Sequence, residues 1–448
     1  MNASLFTEIV DKYFKLVVGR IVEKFNGKKE EQTLLHKTML TEEYSADLTW
    51  GSTEINHSIV AADVVSLDSS LPLKSRGTIS HATGKLPKLG VKYRKGEEDI
   101  TNINIMSARG TDEATVAAKI FDDSAKCIKS MDVRKEIMFL QGLSTGMTLI
   151  PSNETDGTGV RVKFGYKEEN TFHAKTAAWG ETGYDPIEDI RQMFDKAGED
   201  SNTINLVLIS KKYFNLIRAS ESGKKLVADY RGQVVVSTAN LSQPGREAML
   251  EALADEFGAT FRIVDSTFKL EEHDGSTTPI RPWVDANIVG VPEETVGRLV
   301  YGTLAEETNP VANVAYQKAG THVLLSKYSK TDPLEEFTAA QALCLPVIDG
   351  ADSIYILHAN DTDTVISVDD STMSFEVAGG QQTTAVHYEG EISDVTLASS
   401  QTWARANRRG NTITVTVEAN SSAQQRTASI TVSASGQSAT IVLTQAGE

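Results

Sequence analysis

The stretch TDEATVAAKIFDDSAKCIKSMDVRKEIMFLQGL, residues 111–143, decides how the rest of the chain is read. Its apolar residues fall at Ala114, Ala117, Ile120, Phe121, Ala125, Cys127, Ile128, Met131, Ile137, Met138 and Leu140. Intervals of three and four are the period of an amphipathic helix. Thr111 is placed to cap the first turn, and Asp112 and Glu113 put negative charge at the positive end of the helix dipole. Gly142 and Gly146 are the first stop signals. About 30 residues make a rod of roughly 45 Å, whereas an average helix has only about 11–12 residues. Such a rod needs either a large core beside it or neighbouring chains.

Upstream, residues 4–25 carry Leu5, Ile9, Tyr13, Phe14, Val17, Ile21, Val22 and Phe25 on one helical face, closed by Asn26-Gly27. Residues 32–56 have little pattern and read as an extended arm. Residues 61–108 are rich in Gly, Pro, Lys and Arg, with thin apolar alternation at Ile79, Leu86, Leu89, Val91, Tyr93, Ile100, Ile103 and Ile105. They predict a two-stranded ribbon with arms of about 15 residues, roughly 50 Å long. Such a hairpin is marginal on its own, so it is expected to lie on a neighbouring subunit.

Downstream the pattern predicts a hairpin (147–151 with 160–164) around a turn at Gly157-Thr158-Gly159, and a helix from Asp185-Pro186 to Phe194. A buried strand follows at 205–209, then a helix to about Ile217 and a helix after Gln243-Pro244-Gly245. Residues 260–263 and 267–270 read as a hairpin, and further strands fit 287–289, 298–301, 322–325 and 339–348. Helices mixed with hairpin-linked antiparallel strands make the fold α+β. The composition then changes: Lys330 is the last lysine and Pro346 the last proline. Strict alternation at Met373/Phe375/Val377, Ile413/Val415/Val417, Ala428/Ile430/Val432 and Ala439/Ile441/Leu443 predicts a small all-β sandwich over 367–448, after a linker at 358–366.

Composition excludes more than it assigns. The 448 residues are 40% hydrophobic and carry a net charge of -17, which argues for a folded chain and against one that coats nucleic acid with its whole surface. Nothing reads as a signal peptide or a membrane span. The two cysteines, Cys127 and Cys344, sit among apolar neighbours and read as core. Phosphate-loop, zinc-protease, nucleophile-elbow and CxxC signatures are missing, and the eight histidines never approach metal-ligand spacing, so no enzyme, cofactor or metal is expected. Asp122-Asp123 and Glu97-Glu98-Asp99 read as solvated faces. The one local basic cluster is Lys74, Arg76, Lys85, Lys88, Lys92, Arg94 and Lys95. Its only aromatic is Tyr93, so it suits contact with an acidic neighbouring subunit better than with nucleic acid. In the sandwich, Trp403 reads as core or as a sugar-stacking platform, beside Arg405, Arg408 and Arg409 in an expected loop.

The order of these elements resembles the major capsid proteins of tailed double-stranded DNA phages, the lambda-like shell fold. The match runs through an N-terminal arm (1–60), an extended loop (61–108), a spine helix within a peripheral domain (109–200), an axial domain (201–334) and a return strand (335–357). The stretch ADVVSLDSSLPLKSRGTISHATGKLPKLG resembles such extended loops. Residues 367–448 resemble a BACON domain, an immunoglobulin-like module frequent in Bacteroidetes proteins and in phages of those hosts. The residues that carry this are Trp403, the run ITVTVEANSSAQQRTASITV and the ending ATIVLTQAG.

The first resemblance implies a major capsid protein that self-assembles, as hexamers and pentamers of itself, into an icosahedral head shell. It implies portal and scaffolding proteins as partners, and packaged double-stranded DNA held by weak non-specific contact. Its place is then the virion, after synthesis in the cytoplasm of the host bacterium. Lys74, Arg76, Lys85, Lys88 and Lys92 are the expected inter-subunit contacts, and cross-linking of Lys74, Lys85 or Lys88 to Asn360 is a family possibility. The second implies an external module with host or mucin glycans as candidate ligands, contacted by Trp403, Arg405 and Arg408. Asn420, Arg426 and Gln445 read as turn and strand-end residues that transfer no binding site. Two other readings stay open: an encapsulin-like compartment shell, and a glycan-binding or glycan-degrading protein.

Overall fold

The spine helix runs from Glu113 to Thr145 in a computed structural model that describes residues 2–27, 34–53, 81–150, 160–233, 241–271, 275–362, 366–388, 395–434 and 437–447. Its 33 residues span about 50 Å. Asp112, not Thr111, is the cap: its carboxylate accepts from the Thr115 N–H at 3.3 Å. The helix passes through Gly142 and stops at Gly146, whose φ of 69° is the left-handed closure that glycine adopts at low cost. Gly142 has a packing reason of its own. A Cβ there would stand 2.7 Å from the Phe164 ring and 2.8 Å from Thr148 Oγ1, so the Met147–Ile150/Val160–Lys163 hairpin can close over the helix end.

The chain forms two compact units: Met1–Phe172 with Ile190–Leu357, and His173–Asp189 with His358–Glu448. In the first, the spine helix packs on the 15-residue strand Leu334–Ile348. That strand pairs antiparallel with Val323–Thr331 along one edge. Its other edge takes Lys88–Lys95 and then Gly297–Gly302, one after the other. Leu40–Tyr44 of the arm extends the sheet parallel to Gly297–Gly302, and Ala315–Ala319 lies beside Val323–Thr331. Helix Thr7–Gly27 adds Val10, Phe14 and Val18 to this core, with Phe14 stacked on Phe121 at 5.6 Å.

This arrangement corrects one expectation and decides an open question. The ribbon does not continue to residue 108. Lys88–Lys95 is a strand of the main sheet, and Glu97–Ala108 is a helix that starts after Gly96 with three acids in its first turn. Ile100 and Ile103 are buried one turn apart, which the spacing allowed but thin alternation masked. Residues 54–80 of the expected ribbon lie outside the described residues. Of the two supports open to the spine helix, a large core is present: 19 of its 33 residues are buried within its own chain.

Farther along, Leu206–Ser210 is buried at every position, between Asn287–Val291 antiparallel and Thr260–Val264 parallel. The expected hairpin of 260–263 with 267–270 therefore does not form. Helices Lys211–Ala219, Glu221–Tyr230 and Arg246–Phe257 carry the chain across to a parallel strand, and Phe268–Glu271 pairs with Thr277–Ile280 instead. The middle helix has no expectation from sequence. Ser220 ends one helix and caps the next, its hydroxyl accepting from the Gly223 N–H at 2.9 Å.

In the second unit, two four-stranded sheets form a sandwich. One runs Ile366–Val368, Gly380–Tyr388, Thr412–Val417, Ala404–Arg409; the other runs Thr372–Phe375, Gln437–Gln445, Arg426–Ala434, Thr396–Ser399. Alternate residues such as Phe375, Val386, Ile413, Val415, Ile430, Val432, Ile441 and Leu443 fill its core. Arg405, Arg408 and Arg409 lie on a strand, not in the expected loop.

Candidate functional site

The side chains that sequence alone underrates are charges inside the spine. Asp123 is only 5% exposed, against the expectation of a solvated face for Asp122-Asp123. Lys95 binds both Asp122 and, at 2.7 Å, Asp123, which Lys126 also reaches at 2.9 Å. Burial opposes the charge on Lys95, but its bonds to the two carboxylates prevail and raise its pKa. One helical turn away from this cluster, Lys327 is fully buried. Its ammonium donates to Thr338 Oγ1 at 2.9 Å and to the Ile120 carbonyl at 3.3 Å, with Glu336 at 3.8 Å, and burial lowers its pKa. Glu336 in turn accepts from Ser4 Oγ at 2.5 Å and the Leu5 N–H at 3.1 Å, so the start of the chain is clasped to the hairpin 323–348.

A second cluster fastens the arm. Glu136 accepts from the backbone N–H groups of Leu35 and His36, both at 2.9 Å, and lies 2.7 Å from His36 Nδ1. Lys135 bridges Asp132 Oδ1 at 2.7 Å and His322 Nε2 at 3.0 Å. An ammonium cannot accept, so His322 is neutral at Nε2. Burial, with Lys135 beside it, pushes its pKa down to about 3. Arg298 completes the fastening through Glu43, the Gly51 carbonyl at 2.8 Å and Asp349 at 2.7 Å. The signal for these clusters was present in sequence: Asp123, Lys135 and Glu136 occupy turns whose phase is otherwise apolar.

The expected contact lysines fall into two groups. Lys74 and Arg76 lie outside the described residues. Lys85 is exposed on His81–Lys85, which pairs with Thr49–Thr53. Lys88 and Lys92 are exposed on the outward phase of Lys88–Lys95, with Lys92 5.1 Å above the Phe337 ring. Cys127 and Cys344 are buried, and burial lifts their thiols to about 12 and about 11. Neither is poised to react.

The sandwich has one polar knot. Gln445 is fully buried; its amide donates to the carbonyls of Glu376, Val377 and Glu418 at 3.0–3.2 Å, and its oxygen accepts from Arg426 Nε at 2.8 Å. Arg426 also lies over Trp403, 4.1 Å from the ring centre. Trp403 is half-buried against the core, so one of its faces is taken. Asn420 ties the neighbouring turn through the carbonyls of Gln424 and Ala446. Arg405 and Arg408 are three apart on a strand and point to opposite sides: Arg405 outward, Arg408 on the inward row.

The chain thus sets a spine helix on a long return strand, straps an arm into the same sheet and carries a β-sandwich with its own core. The family model of phage major capsid protein E matches residues 19–359. The chain belongs to that family. A second model, BACON, described as a binding domain, matches residues 393–446 of this capsid protein. No curated protein matches the chain. Among solved structures, similarity extends to one described as the capsid protein of a prophage of E. coli CFT073, at 13% identity and a TM-score of 0.47, covering 77% of this chain and 98% of that one. A phage-related protein from Bordetella bronchiseptica RB50 shows 10% identity and a TM-score of 0.43, over 77% and 96%. A protein from Bacteroides thetaiotaomicron shows 14% identity and a TM-score of 0.16, over 18% of this chain and 79% of that one. The capsid protein is thus a shell-forming component of a virion, with a BACON domain at its C-terminal end. Among its described residues no helix is long and apolar enough to cross a membrane.

Proposed function

We propose that this capsid protein, in hexamers and pentamers, encloses double-stranded phage DNA, and that its BACON module sits on the outer surface, where it meets host or mucin glycans. The observation that carries the second half is the sandwich's own core. Among the described residues, Phe375, Ile413, Val415, Ile430 and Ile441 form one cluster with their sandwich neighbours, and the capsid-family match stops at residue 359. A module with a self-sufficient core is an addition to a shell subunit; of the linker expected at 358–366, residues 358–362 belong instead to the strand Tyr355–Thr362, and residue 366 opens the strand Ile366–Val368. The role is structural and not enzymatic. Scaffolding and portal proteins are the partners in assembly, and synthesis takes place in the host cytoplasm. Lys74, Arg76, Lys85, Lys88 and Lys92 are the contacts between subunits; Trp403, Arg405 and Arg408 are the first candidates for glycan contact.

Electron microscopy of the purified protein tests the shell: closed particles or capsomers are expected, and a chain that stays monomeric under every condition tried overturns the reading. Antibody fragments against the sandwich test its position, since they should decorate intact particles. Decoration only after particle disruption would place the module inside.

A further inference from the structure

The two outward faces of the sandwich are chemically different. Strand Ala404–Arg409 lies against Thr412–Val417 in a register that sets Arg405 beside Thr416, Asn407 beside Thr414 and Arg409 beside Thr412. Gly380–Tyr388 lies on the other side of the same central strand and adds Gln381 beside Thr416 and Thr383 beside Thr414. Ala404, Ile413, Val415 and Val417 are buried on the inner face, so this set has the outward phase, and Arg405, Asn407 and Arg409 are exposed. The result is a flat field of hydroxyls and amides, about 10 Å across three strands, with a guanidinium at either end of one edge. At about 3.3 Å per residue the two guanidinium stems stand about 13 Å apart. The other sheet, by contrast, points Ser429, Thr431, Ser433, Thr440 and Val442 outward, without a cation among them.

We infer that the outward face of the Thr412–Val417 sheet is a binding surface for an acidic saccharide chain, one that carries carboxylate or sulfate groups. This deepens the glycan reading proposed above and rests on it. Threonine hydroxyls and Asn/Gln amides both donate and accept, which matches the mixed demand of sugar hydroxyls. Guanidinium forks match carboxylate and sulfate geometry and stand out on a chain whose net charge is -17. Two local acids temper the field: Glu418 lies 3.8 Å from Arg405, and Asp369 holds His387 at 2.7 Å beyond the rows. Nucleic acid fits less well. The described residues at these positions include no Phe, Tyr or Trp for base stacking. Each site is shallow and weak alone, and repetition over a shell supplies avidity. This face replaces Trp403, covered by Arg426, and Arg408, on the inward row, as the place of contact.

The test uses particles of the full chain on surfaces bearing heparin (sulfated), hyaluronan (carboxylate only), dextran (neutral) or a short DNA duplex. Retention on heparin or hyaluronan is expected, and which of the two binds identifies the anion. The double variant Arg405→Gln/Arg409→Gln should weaken that retention at least tenfold. The charge-matched control Lys224→Gln/Lys225→Gln should not, and both should melt like the parent. Equal retention of the double variant and the parent overturns the proposal, as does DNA retained with the same arginine dependence. Retention on dextran that ignores Arg405 and Arg409 removes this face but keeps a glycan-binding module. Failure to bind any of the three saccharides removes both.

Discussion

Gln445 shows what one side chain can hold. Its three accepting carbonyls come from two separate segments, Glu376-Val377 and Glu418, so Gln445→Ala strands buried acceptors on both. The expected cost is about 2–4 kcal/mol of sandwich stability, read by thermal or urea melting of the β-rich transition. His322 makes the opposite kind of statement, about pH. Its neutral ring accepts from Lys135, with Asp132, His36, Lys318 and Glu42 around it, and burial lowers its pKa from 6.5 to about 3. A lowered folded-state pKa means the unfolded chain binds the proton first, so stability is full above about 6.5 and is lost as the pH falls toward about 3. Unfolding at pH 7.5 and 5.0 should differ measurably for the parent and less for His322→Gln; equal differences would remove His322 from the account. Sequence reading placed Gln445, Arg426 and Asn420 correctly as strand-end and turn residues. It missed Asp123, despite its apolar phase on the helix, because two adjacent aspartates look solvated unless their shared partner, here Lys95 from an earlier strand, is known.

For the elements, legibility followed periodicity. The spine helix, the N-terminal helix and the sandwich strands repeat their apolar residues strongly enough to be seen without tertiary context. Lys88–Lys95 did not declare itself, because a free ribbon and a central-sheet strand share the same alternation, and only the pairing with Glu336–Leu343 separates them. The hairpin expected at 260–270 failed for a related reason: strand pairing partners are non-local, and the parallel partner lies some 50 residues back at Leu206–Ser210. The spine helix can be tested against the basic strands. Ile120→Asp or Phe121→Asp buries a carboxylate where the native side chain is 0% or 2% exposed, and should cost at least about 4 kcal/mol and collapse the far-UV circular dichroism. Lys85→Glu or Lys88→Glu, on exposed positions, should leave the spectrum intact and lower the particle count.

Taken whole, the molecule is two cores on one chain, and its α+β class and capsid-like element order were readable because each core has its own composition. The site was less readable: Arg405, Arg408 and Arg409 were expected in a loop, and only their place on a strand lets alternation put Arg405 and Arg409 on one face and Arg408 on the other. Separate cores predict separate melting. Ile430→Asp, at a fully buried sandwich position, should lower one calorimetric transition and leave the other, and particles should still form. A single transition shifted as a whole would show that the cores are coupled.

The strand Leu334–Ile348 also sets a schedule. It is the surface on which the spine helix packs, yet residues 146–333, that is 188 residues, separate the end of that helix from the start of the strand. At about 5–20 residues per second, the ribosome needs roughly 10–40 s to cover that distance. For that time Ile120, Phe121, Met131 and Phe139 have no completed sheet to lie on. Folding of the shell subunit therefore waits on translation. Slower chains or warmer cells should lose more protein to aggregates, and a chaperone that shields the helix should return it to the soluble pool.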